Sequence, residues 1–71
     1  MLYILKIKGT TTIPDFVQIR DKEMTLRAYF RLSQQEVGLK KNNLETEAKG
    51  IMNLLASIPY GKIHKYYSDN E

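Results

Sequence analysis

The chain has no cysteine and a single histidine, His64, among its 71 residues. Without thiols there is no disulfide to staple a small fold and no cysteine nucleophile. One imidazole among scattered carboxylates gives no spacing for zinc, so no metal is expected. The lack of cysteine suits a cytoplasmic protein. No apolar run approaches the ~18 residues that a membrane span needs. The opening "MLYILKIKG" is short and interrupted by Lys6 and Lys8, unlike a secretory signal. Neither "GxSxG" nor "HExxH" occurs, and Gly61 before Lys62 lacks the second glycine of a phosphate-binding loop. The expectation is a protein that is not an enzyme and carries no cofactor.

What is present is an ordinary globular composition, 42% apolar and 27% charged. The length allows one domain, residues 1–71, and a chain this short buries only about 60% of the surface its unfolded form exposes. With no disulfide and no metal, self-association is a remaining route to a sufficient core, which favours a homodimer. The net charge of +3 is unevenly placed. Residues 1–33 carry six bases (Lys6, Lys8, Arg20, Lys22, Arg27, Arg31) against three acids, whereas residues 34–71 carry five of each. Such asymmetry points to an anionic partner for the N-terminal half.

Residues 2–8, "LYILKIK", are rich in β-branched and aromatic side chains and read as a strand. Gly9 and Pro14 end it around three threonines. Residues 15–20, "DFVQIR", alternate as a second strand, with Val17 and Ile19 on one side. "DKEM" is a connection of hairpin length, and "MTLRAYFRL" alternates as a third strand. Ser33 and Glu36 have capping-box spacing, which predicts a short helix over 34–41; Val37 and Leu39 leave a fourth strand there as the alternative. Leu44, Ala48, Ile51, Leu55 and Ile58, widened by Met52, form an amphipathic stripe about four turns long, with Asn43 as its N-cap and Pro59 as its stop. "KIHKYYSD" alternates as a last strand, and residues 68–71 are expected to fray. The fold class is therefore α+β: a small antiparallel sheet, β-β-β-α-β with about four strands, and one long amphipathic helix packed on one face. A strand order of 3-2-1-4 follows if the last strand lies beside the first, and a right-handed crossover would set it parallel to the third.

The core face predicted for this sheet holds Tyr3, Leu5, Ile7, Val17, Ile19, Leu26, Ala28, Phe30 and Leu32. The opposite face, with no layer to cover it, receives Leu2, Ile4, Lys6, Lys8, Phe16, Gln18, Arg20, Arg27, Tyr29 and Arg31, with His64 and Tyr66 added in one orientation of the last strand. Of these, Lys6, Lys8, Phe16, Arg20, Arg27, Tyr29 and Arg31 are the candidate binding residues. Apolar and aromatic groups beside arginine are what protein interfaces favour, so self-association through this face is the leading reading. The alternative is single-stranded nucleic acid, with the bases stacked on rings and the phosphates met by Arg and Lys.

Overall fold

Alternating apolar residues and breaks at Gly9–Pro14 produce three antiparallel strands, β1 (Leu2–Ile7), β2 (Phe16–Asp21) and β3 (Leu26–Arg31). The structure, a computed structural model, describes residues 1–67, so the expected fraying of residues 68–71 lies outside it. The β2–β3 connection is a tight hairpin. Asp21 N–H donates to Thr25 O at 3.0 Å, Met24 N–H donates to Asp21 O at 2.9 Å, and Met24 takes the left-handed conformation at φ 66°. Asp21 also accepts from the Glu23 and Thr25 amides through Oδ1, the turn-capping role its position suggests.

After β3 the chain forms not one long helix but two helical segments, of 10 and 13 residues. The first is a 3-10 turn, Leu32–Gln34, leading into α1 (Gln35–Lys41); the second is a 3-10 turn, Glu45–Glu47, leading into α2 (Ala48–Ser57). Residues 34–41 are thus helical rather than a strand. The capping box is not formed, since neither Ser33 nor any other side chain caps these N-termini. Asn43 is not an N-cap either. It adopts φ 61° just past α1, where the Asn43 amide donates to Lys40 O at 3.3 Å and the Leu44 amide to Leu39 O at 2.9 Å. That pair of bonds is a Schellman ending, completed by burial of both Leu39 and Leu44 in the core. Asparagine tolerates the left-handed backbone this ending requires. The stripe itself forms as expected: Leu44, Ile51, Leu55 and Ile58 are buried, with Ala48 and Met52 packed against them. Pro59 ends α2, and Gly61 at φ 82° turns the chain into β4 (Ile63–Tyr66).

The sheet order is β3-β2-β1-β4, as expected. However, β4 runs antiparallel to β1 and therefore opposite to β3. The second helical segment is the reason. Arg31, which ends β3, and Ile63, which starts β4, lie at the same end of the sheet, beside Ile7–Phe16 and Leu5 respectively. One helix would have returned the chain to the opposite end. No helix among the described residues is long and apolar enough to cross a membrane.

The core lies between one sheet face and both helical segments. Ile4, Val17, Ile19, Ala28 and Phe30 meet Leu39, Leu44, Ile51, Leu55 and Ile58 there. This inverts the expected facing of β1. Ile4 is fully buried and Lys6 is 8% exposed, while Tyr3, Leu5 and Ile7 share the opposite face with Arg20, Gln18 and Phe16. Leu26 also leaves the expected core set. The register shifts between Ile19 and Arg20, whose partners are Ala28 and Leu26, so Arg27 is the extra residue of a bulge and Leu26 is 47% exposed.

Candidate interaction surface

With both helical segments on one side, the other side of the sheet has no covering layer among the described residues. Pairing register assigns its occupants: Tyr3, Leu5 and Ile7 from β1, Phe16, Gln18 and Arg20 from β2, Leu26, Tyr29 and Arg31 from β3, and Ile63 and Lys65 from β4. Tyr29 is 53% exposed although it stands between the buried Ala28 and Phe30, and Ile63 is 57% exposed. Phe16 and Tyr29 lie diagonally across β2 and β3 and stack, with ring centroids 4.9 Å apart and planes 10° off parallel. Arg20 is held along the surface: its Nε donates to Gln18 Oε1 at 3.3 Å and its Nη1 to Met24 O at 2.9 Å. Arg27 faces Asp21 at 3.7 Å in an exposed ion pair at the bulge. Arg31 and Lys65 have no such partner among the described residues.

Four of the candidate residues, Phe16, Arg20, Tyr29 and Arg31, are therefore brought together on the uncovered face. Arg27 stands at its margin. Lys6 and Lys8 do not join it. Lys6 lies on the helix side, where its ammonium donates to Leu55 O at 2.7 Å and sits 4.6 Å from the centre of the Tyr60 ring. Leu55 is in the last turn of α2, whose carbonyls have no partner within the helix, so a cation there also meets the negative end of the dipole. Lys8 lies 4.9 Å from the same ring. His64 and Tyr66 are likewise on the helix side, opposite Ile4 and Leu2, and Tyr66 donates its hydroxyl to Glu47 Oε2 at 3.0 Å.

Around Tyr60 the chain builds a second polar cluster. The Tyr60 hydroxyl donates to Asp15 Oδ2 at 2.6 Å and the Gly9 amide to Asp15 Oδ1 at 2.7 Å. These two bonds, with smaller help from the Lys8 and Lys6 charges, hold the Asp15 carboxyl below the ordinary carboxylate range. The same bond to Asp15, together with burial, raises the Tyr60 phenol above its ordinary value. The Asp15 carboxylate, the Tyr60 hydroxyl and the Gly9 amide are all engaged with one another, which is the pattern of a structural tie. Sequence reading missed Tyr3, Leu5, Ile7, Leu26, Ile63 and Lys65 as face residues. The signal available was the apolar content of both alternating sets in β1, which meant that either set could be inside.

Comparison of the chain with family models, with curated proteins and with solved structures returns no match in any of the three.

Proposed function

We propose that the protein is a small, cytoplasmic, non-enzymatic interaction module that self-associates through the uncovered sheet face. The observation that supports this reading is the central strand β1, which places Tyr3, Leu5 and Ile7 on the side that neither helical segment covers. A central strand is where a small sheet has most apolar surface to hide, and sheets stack face to face at about 10 Å through such residues. Phe16, Tyr29 and Ile63 extend the patch, while Arg20, Arg31 and Lys65 give it a polar rim. Contiguous apolar surface rimmed by polar groups is the usual mark of a contact.

The same arginines and lysine support single-stranded nucleic acid as a second reading. Against it stands the Phe16–Tyr29 stack, in which each ring already gives one face to the other and has less to offer a base. Self-association is therefore the first choice. The test is light scattering on a sizing column over a concentration series, with and without a mixed-sequence single-stranded oligonucleotide at low salt. Self-association is expected to raise the mass with concentration, and Leu5→Lys, in the middle of the patch, to return it to the monomer with the circular dichroism unchanged. A mass that stays monomeric at all concentrations would sink the proposal. A salt-sensitive shift with the oligonucleotide, lost in Arg31→Glu, would replace it with the second reading.

A further inference from the structure

Among the described residues β3 is an edge of the sheet, paired with β2 alone. The Leu32 amide donates to Asp15 O at 2.9 Å, one step beyond the Arg31–Phe16 pair. In an antiparallel ladder the bonded pairs alternate, so Phe30 and Ala28 turn their backbone groups to β2 while Tyr29 and Arg31 turn theirs outward. An outward row of amides and carbonyls is a template for another strand. Beside this edge, between β3 and α1, runs a groove of about 270 Å³. Its helical wall is a single stripe, Gln34 of the 3-10 turn with Val37, Gly38 and Lys41 of α1, and its β3 wall is Tyr29, Phe30 and Arg31. Val37 is 55% exposed at its lip. Among the lining residues there are two cations and no acid, since Glu36 and Lys40 lie off the stripe.

We propose that this edge and groove receive an extended acidic peptide of another protein, added as a fifth strand beside β3. Main-chain bonds to Tyr29 and Arg31 would provide the pairing. Acidic side chains on the uncovered side would meet Arg31, and the apolar ones between them, turned to the helix side, would lie against Val37, with Lys41 adding its charge to the groove. A second copy is a poor occupant, because β3 itself carries Arg27 and Arg31 and no acid, and two such strands side by side bring like charges together. The site uses the backbone edge of β3 and the α1 groove, and shares only the Tyr29 and Arg31 side chains with the uncovered face.

The experiment titrates acetyl-Glu-Val-Glu-Val-Glu-Val-amide into the isotope-labelled chain and follows backbone amide shifts and hydrogen exchange. Binding is expected to perturb α1 around Val37 and Lys41 and to slow exchange at Tyr29 and Arg31, whose amides are otherwise open to water. Acetyl-Lys-Val-Lys-Val-Lys-Val-amide is expected to bind at least about tenfold more weakly, and Arg31→Glu with Lys41→Glu to reverse that preference. Tyr29→Pro removes an outward amide that β2 does not use and is expected to abolish binding while the sheet persists. If the double variant does not fold, Lys41→Glu alone, on exposed α1, is expected to narrow the preference. No binding by the acidic peptide, equal binding of both peptides, or shifts confined to Leu5, Ile7 and Ile63 would overturn the proposal. So would protection of Tyr29 and Arg31 that grows with protein concentration alone, which would assign the edge to a second copy.

Discussion

Lys6 shows how one side chain can reverse the apparent logic of a strand. In "LYILKIK" Lys6 argues that its alternating set faces water, yet it is 8% exposed and donates to Leu55 O. Its aliphatic stem fills core space beside Ile4 while the ammonium reaches a carbonyl that α2 cannot satisfy internally, with the Tyr60 ring beneath it. Removing the stem and the charge together is expected to hurt more than removing the charge alone. Lys6→Ala empties packed volume and leaves the carbonyl buried without its donor, a cost of about 2–3 kcal/mol. Lys6→Met keeps the volume and spares the desolvation of an ammonium, so its cost is expected to stay near or below about 1 kcal/mol. Urea midpoints of the two variants at neutral pH check this. Equal losses would mean that the stem contributes nothing and that the bond to Leu55 does all the stabilising.

The helices owe their arrangement to glycine and asparagine rather than to capping. Gly38 lets α1 settle on β3, because a Cβ there would stand 2.7 Å from both Cβ and Cδ2 of Phe30. Alanine is the better helix former by up to about 1 kcal/mol, but the overlap is expected to cost about 1–3 kcal/mol and to prevail, since Phe30 is held in the core. Gly50 provides the contrast. There the obstacle is the hydroxyl end of Tyr66, which can swing aside at the expense of its bond to Glu47. Gly38→Ala is therefore expected to lower the melting temperature clearly and Gly50→Ala to leave it nearly unchanged; the reverse order would contradict this packing. Much of the architecture was legible in the sequence. The three strands, the hairpin at Asp21–Thr25 and the Leu44–Ile58 stripe follow from periodicity and breakers, whereas the strand order rested on placing the last strand beside the first. What escaped has physical causes. Asn43 before an apolar stripe reads equally as the start of one helix or the left-handed end of another, and only the tertiary burial of Leu39 and Leu44 decides between them. A one-residue bulge at Arg27 moves Leu26 to the outer face with no mark in the pattern. β1 is apolar on both sides, so the expected facing agrees with the pairing register on β2 and for Tyr29 and Arg31 of β3, and is inverted on β1.

The parts are drawn together at the end of the sheet where β1 leaves and β4 enters. Asp15 ties the start of β2 to Gly9 after β1 and to Tyr60 after α2, and the Gly61 amide donates to Lys6 O at 2.8 Å. One carboxylate thus links the first hairpin to the connection between the last helix and the last strand, elements far apart in the chain. Its titration should be felt in the stability of the whole fold, and the sign follows from linkage. Because Tyr60 and then the Gly9 amide favour the charged form, native Asp15 titrates below its unfolded value; its contribution is complete above the ordinary carboxylate pKa of about 4 and is lost as pH falls through the lower native one. Tyr60 is displaced in the other direction, first by its bond to Asp15. Its contribution is complete below the ordinary phenol pKa of about 10 and is lost as pH rises through the higher native one. Asp15→Asn removes the charge that causes both displacements. Plotted against pH, the urea midpoint of the variant is expected to fall less steeply on the acid side than that of the native chain. In an ultraviolet titration, one of the five tyrosines should ionise earlier than before. If the acid limb and the tyrosine titration both stay where they were, the tie at Asp15 does not form in solution, and the turn at Tyr60–Gly61 must be held by the Lys6 carbonyl alone.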